Sequence, residues 1–248
     1  MIWLIKKIDV FISYLTRIPF KYFVSSNKFR VSKCSTLNIS STAQILNSKI
    51  FLLNGARLEI GENCRLSNAE IYVDNGDVVL SNNVIVSSTQ GVIITIQGGK
   101  LRVNNHSKLS LKRIWIRFGG SVKIGSYTNI NGDSEIRSDE SVTIGSYNQI
   151  SYGVKIWDTN THNILSKEER RKVTENYFPY FGYESSKPKT SPIIIGDDCW
   201  IGEKASILKG TKLGDEVIVG YNCLLSGQEV PDKSLAVSKS VLDVRLRN

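Results

Sequence analysis

The sequence predicts an all-β chain: a prism of about eight stacked triangular coils, preceded by a basic amphipathic helix and interrupted by one long insertion. Three observations predict it. Bulky aliphatics recur every six residues at Ile195, Ile201, Ile207, Leu213, Val219 and Leu225, and the same step links Ile124, Ile130 and Ile136, then Ile144, Ile150 and Ile156. A longer period returns one tetrad per coil, beginning at Ile39, Ile60, Leu80, Val103, Ile124, Ile144, Ile195 and Leu213, in steps of 21, 20, 23, 21, 20, 51 and 18 residues. The step of 51 is one coil plus roughly thirty extra residues, far longer than an ordinary connection.

A period of six is neither that of a helix nor that of a simple strand. It suits short strands that each end in a corner, three to a coil, with coils stacked through parallel pairing about 4.8 Å apart. Eight coils then stand about 40 Å tall. The aliphatic points inward, and so does the small residue four places later, at Cys199, Ala205, Thr211, Val217 and Cys223. Glycine follows the aliphatic at Gly196, Gly202, Gly214 and Gly220, where its backbone freedom is expected to shape the corner. Three regions result: a basic arm over 1–33, irregular coils over 34–120, and regular coils over 121–248 with the insertion at 157–192.

The net charge of +9 suggests a nucleic-acid partner until it is located. Residues 1–33 hold Lys6, Lys7, Arg17, Lys21, Lys28, Arg30 and Lys33 against Asp9 alone, so the body is nearly neutral and offers no nucleic-acid face. Apolar residues at Ile2, Leu4, Ile5, Ile8, Phe11, Ile12, Leu15, Ile18 and Tyr22 keep helical spacing, and Pro19 ends or kinks that helix. Two roles stand side by side: peripheral contact with an anionic membrane through residues 1–24, and docking on the first coil to cover an open strand edge. No run of eighteen uncharged apolar residues is present, so no transmembrane span is expected. The hydrophobic start is broken by charges and no small-residue cleavage site follows, so no signal peptide is expected either; a cytoplasmic location is the default.

Cys34, Cys64, Cys199 and Cys223 show no CxxC spacing, and the last three fall at inward small positions, as reduced core thiols do. With only His106 and His162, a three-histidine metal site is excluded, and no metal is expected. His106 falls at an outward, solvated position. His162 closes Ile156-Trp-Asp-Thr-Asn-Thr-His162 at the mouth of the insertion, among turn-forming residues, and is the candidate general base. Within the insertion, Ser166-Lys-Glu-Glu169 reads as a capping box that starts a helix over 167–175. The aromatics Tyr177, Phe178, Tyr180, Phe181 and Tyr183 follow, suited to a neighbouring subunit or to sugar faces.

The stretch IIIGDDCWIGEKASILKGTKLGDEVIVGYNCLLSGQEVPDKS resembles the hexapeptide-repeat acyltransferases, among them the O-acetyltransferases of capsule and O-antigen sugars. The resemblance is specific over 121–232, weak over 34–120 and absent over 1–33. It implies a left-handed parallel β-helix, a homotrimer with active sites between prisms, and acetyl-CoA as acyl donor. It makes His162 the base that takes a proton from a sugar hydroxyl, with Asp158 available to orient the ring or to cap the turn. Asn131 and Asp139 match acceptor-binding positions, and Trp157 and Asn160 flank the same pocket. Trp200, Gly202, Gly220, Tyr221 and Ser226 match the donor site, with Lys239 or Arg245 attracting phosphate. Two departures stand out: Gly220-Tyr-Asn-Cys where relatives carry Gly-Ala-Gly-Ser, and Ala236-Val-Ser-Lys-Ser-Val in place of Ala-Gly-Asn-Pro-Ala-Arg. The function implied is acetyl-CoA-dependent O-acetylation of a cell-surface polysaccharide or its precursor. A non-catalytic binding or scaffold coil and an amino-sugar N-acetyltransferase are the alternatives.

Overall fold

The computed structural model describes residues 22, 26–180, 184 and 186–239. The expected N-terminal helix over 2–23 lies outside them, apart from Tyr22, as do Phe181, Tyr183 and Arg245. Tyr22 is buried and its hydroxyl donates to the Ala43 carbonyl at 2.8 Å, beneath the first coil.

All strand pairing in the prism is parallel, and the strands stack into three faces. Face I runs upward through Lys28–Val31, Lys49–Leu53, 70–74, 93–97, 113–117, Glu135–Ser138, Lys155–Trp157, Ser206–Leu208 and Leu224–Ser226. Face II begins at Thr36–Ile39 and ends at Glu229–Val230. Face III begins at Gln44–Leu46 and ends at Leu235–Ala236. Each face is thus nine strands deep, one more than the eight landmarks imply. The ninth landmark is Val230, which pairs with Leu213 but is followed by Pro231 rather than glycine, and so escapes the tetrad pattern.

The hexad aliphatics are the core. Ile94, Ile114, Ile136, Ile156, Ile207 and Leu225 form one inward column of face I, all buried. Each contributes roughly 1.5–3 kcal/mol by leaving water. Cys64, Cys199 and Cys223 are buried and unpaired, as the spacing predicts, and burial pushes the Cys64 and Cys199 thiols up.

The corners correct one expectation. Gly196, Gly202, Gly214 and Gly220 do not have positive φ; that burden falls two residues later, on Asp198, Lys204, Glu216 and Asn222. The glycines supply space instead. On the edge between faces II and III, a Cβ on Gly145 would lie 2.5 Å from the Gly196 carbonyl oxygen, and one on Gly196 would lie 2.6 Å from that of Gly214. The next residue of the tetrad ties the coils together. The Asp197 carboxylate accepts the Ser146 N–H at 2.6 Å, Asp215 accepts that of Asp197 at 2.7 Å, and Asp232 that of Asp215 at 2.9 Å. His106 sits on this edge, exposed but stacked on Tyr127 at 4.7 Å, with Tyr147 above at 5.0 Å, so it belongs to a ring column rather than standing alone in solvent.

Space and conformation separate in a pair of variants. Gly119 has φ of +77° with nothing within 4 Å, so Gly119→Ala should cost about 1–2 kcal/mol from the left-handed backbone alone. Gly145→Ala should cost more, about 3 kcal/mol, because the clash is with backbone. Denaturant unfolding of the two variants measures the order.

Candidate active site

The chain leaves face I after Lys155–Trp157 and returns at Ile193–Ile195 on face II, so the insertion springs from the edge between faces I and II. Its base is a narrow neck. Thr159 and Thr190 form an antiparallel bridge, the Ser191 N–H donates to the Asp158 carbonyl at 2.9 Å, and the Asn160 N–H donates to the Lys189 carbonyl at 3.0 Å. Asp158 is fully buried beneath the neck. Its carboxylate accepts the Ser138 hydroxyl at 2.8 Å and the N–H groups of Asp139 and Glu140 at 2.8 and 3.0 Å. It caps backbone donors that the interrupted ladder leaves over, and burial pushes its carboxyl up. Asp158 therefore does not orient His162.

That role falls to Glu184, which the sequence reading missed. Its Oε1 lies 2.9 Å from His162 Nδ1, and its side chain is 3% exposed. Asn163 donates to the other oxygen through its N–H at 3.1 Å and its side-chain amide at 2.8 Å. Arg170, from the insertion helix Lys167–Tyr177, reaches Glu184 at 3.4 Å and the Asn163 carbonyl at 2.7 Å. Burial works to raise the Glu184 carboxyl, but the hydrogen bonds from His162 and Asn163 and the Arg170 charge outweigh it, and the net pKa is lowered. A carboxylate at Nδ1 makes that nitrogen the donor and leaves the Nε2 lone pair free. The imidazole is 52% exposed, and among the described residues Nε2 has no partner.

The helix forms where the capping box places it. The Ser166 hydroxyl accepts the Glu169 N–H, and the Glu169 carboxylate accepts the Ser166 N–H. The helix buries none of its residues, and Phe178 and Tyr180 beyond it are exposed.

The acceptor candidates divide. Asp139 is 1% exposed and spent on structure: Arg117 donates to both its oxygens, from Nε at 2.9 Å and Nη2 at 2.7 Å, and Thr159 adds its hydroxyl at 2.6 Å. Its carboxylate is not open to a sugar, a correction to the position-matching expectation. Trp157 lies on the outer side of face I with Arg137 over its ring at 4.1 Å. Its indole N–H is the one buried side-chain polar atom without a partner among the described residues. Asn160 is half-buried in the neck itself. Asn131 is not near the neck; it stands on the edge between faces III and I, accepting from the Asn129 amide at 3.1 Å.

Four of the donor candidates, Trp200, Gly202, Gly220 and Tyr221, sit on face III and on that second edge. Trp200, Ile218 and Leu235 are in register, exposed and apolar. Gly202, Gly220 and Tyr221 follow at the edge, where Lys204 donates to the Tyr221 hydroxyl at 3.2 Å. Ser226 tops face I, and Lys239 is exposed beyond the last strand. Within one chain, His162 therefore lies on a different edge from Trp200, Gly202, Gly220 and Tyr221, whereas Ser226 ends the face I strand two above Trp157. Among the described residues no group of His, Cys, Asp and Glu is placed to hold a metal ion, and no helix is long and apolar enough to cross a membrane.

Residues 192–227 match the family described as bacterial transferase hexapeptide (six repeats). The chain carries hexapeptide repeats there and folds as a parallel β-helix. It is 27% identical over 174 residues to WbbJ of Escherichia coli K12, named for lipopolysaccharide biosynthesis as an O-acetyl transferase, covering 70% of this chain and 74% of that one. It is 23% identical over 178 residues to the polysialic acid O-acetyltransferase of Neisseria meningitidis, covering 71% of this chain and 66% of that one. Among solved structures, the polysialic acid O-acetyltransferase OatWY shares the fold, with a TM-score of 0.51 at 20% identity over 82% of each chain.

In this β-helix the Glu184 clamp is testable through acid. A carboxyl with a lowered folded pKa contributes stability above the ordinary carboxylate range and loses it as pH falls through the folded value. The stability difference between wild type and Glu184→Gln should thus shrink as the pH falls through the carboxylate range. A pH-independent difference would remove the ionised clamp.

Proposed function

We propose that this chain is an acetyl-CoA-dependent O-acetyltransferase that modifies a sugar hydroxyl of a cell-surface polysaccharide or its precursor. The observation that carries the reading is the His162–Glu184 pair, a half-exposed imidazole with its Nδ1 fixed by a carboxylate and its Nε2 open. The similarity to proteins named as O-acetyltransferases supports the reaction class.

The exposed apolar strip of Trp200, Ile218 and Leu235, with Lys204 at the edge that follows and Lys239 beyond the last strand, fits a pantetheine arm that ends in phosphates. When bound there, acetyl-CoA supplies an acyl group activated as a thioester. His162 Nε2 takes the proton of the sugar hydroxyl as that oxygen bonds to the acyl carbon, and the imidazolium returns the proton to the departing sulfur. Glu184 stabilises the charge on the ring between the two transfers. A backbone N–H of a facing coil meets the negative charge developing on the acyl oxygen.

His162 and the apolar strip lie on different edges, so the complete site joins two prisms, in a homotrimer. The exposed Phe178 and Tyr180 of the insertion then pack on the neighbouring chain. The cationic segment over 1–24 fits peripheral contact with the inner face of the cytoplasmic membrane, where a lipid-linked or nascent polymer would be met.

Thiol release from acetyl-CoA, measured against sugars and capsule polysaccharides, tests the reading. Wild type should show acceptor-dependent release, and His162→Ala should lose about 10²–10⁴ of it while still folding cooperatively. Full activity in the variant would remove the base. Failure of CoA to bind at all would favour the scaffold alternative.

A further inference from the structure

The residue before His162 carries a backbone conformation that its side chain resists. Thr161 has φ of +68° and is the one β-branched residue with positive φ among the described residues. For such a side chain the left-handed region is costly and persists only where the surroundings hold it. Thr161 is 7% exposed, and three groups hold it. Its N–H donates to the Thr159 hydroxyl oxygen at 3.0 Å. Its carbonyl accepts from Arg117 Nη2 at 3.1 Å. Its hydroxyl oxygen lies 3.4 Å from Arg137 Nη1.

These contacts close a ring. The Arg117 guanidinium grips Asp139 with two donors, Asp139 accepts the Thr159 hydroxyl, Thr159 accepts the Thr161 N–H, and the Thr161 carbonyl returns to Arg117. Arg117 comes from 44 residues earlier in the chain, two strands below the neck on face I. Its own plane is set by Trp115, whose ring centroid lies 4.4 Å away. A guanidinium can span carboxylate and carbonyl at once with fixed geometry; an ammonium cannot.

We propose that Arg117 is a positioning residue: through the Thr161 carbonyl it holds the neck in the strained conformation that aims the His162 imidazole. The proposal rests on the reading of His162 as base. It also explains why Asp139 is buried in an ion pair instead of facing solvent: the carboxylate fixes the arginine that fixes the neck.

Removing Arg117 alone would strand a buried carboxylate, so the decisive variant is Arg117→Met/Asp139→Asn, which removes both charges while the new amide oxygen still accepts from Thr159. Arg117→Ala and Arg117→Lys accompany it. The chain has two histidines, so in protein labelled with carbon-13 histidine the His162 ring signal stands beside that of His106 as an internal control. In the folded double variant kcat should fall roughly a hundredfold, with the KM for acetyl-CoA unchanged. The His162 signal should shift or broaden while that of His106 stays. Millimolar guanidinium should restore part of kcat to Arg117→Ala, and Arg117→Lys should remain impaired. A folded double variant with wild-type kcat and an unmoved His162 signal would overturn the proposal. His162→Ala, assayed in parallel, separates the two claims. If it keeps full activity the base reading fails, and the ring signal still decides whether Arg117 sets the position of the histidine.

Discussion

The stacked aliphatic columns inside the prism are the constraint on which the rest depends. Ile114, Ile136, Ile156 and Ile207 lie directly over one another, and a slip of one residue in any strand would turn its aliphatics to water. Fixing the inward side chains fixes the outward ones. Thr95, Trp115, Arg137, Trp157 and Leu208 are therefore also in register, and the arginine of one strand meets the indole of the next. The same lock lets the chain depart after Trp157, build an insertion and resume at Ile193 without loss of register above it.

The candidate site is gathered at that departure. The regular ladder of face I is interrupted there at Asp158, which satisfies the donors of the bend that follows the strand below. The neck presents His162, and the insertion folds back to supply Glu184, itself held by Arg170 and Asn163. Rigid coils below and a small clamp above divide the work. The coils set where the backbone goes, and the clamp sets which nitrogen of the ring is free.

The fold was largely legible because a period of six leaves its mark on every coil. It failed where one residue broke the mark, at Pro231, which hides the ninth coil. Glycine was found at the right positions for the wrong reason: close approach of backbones between coils cannot be seen in a single strand's sequence. The candidate site was legible in part. His162 stands out by its scarcity and its place beside the insertion, whereas Glu184 lies 22 residues on, in a segment with no repeating pattern. Asp158 and Asp139 were assigned by nearness in sequence or by position, and the structure spends both on buried contacts. Arg117 left no local signal, since its partner is 44 residues away.

The proposed site joins the His162 edge of one prism to the apolar strip of another. Subunit mixing tests this most directly. His162→Ala lacks one half of the site, and Trp200→Glu places a carboxylate where an apolar arm would lie. Purified separately, each should be inactive. Coexpressed in equal amounts as a trimer, about a quarter of the interfaces would pair an intact His162 edge with an intact strip, and turnover should return to about that share of wild type. Mixed assemblies no more active than either parent would contradict a site shared between chains.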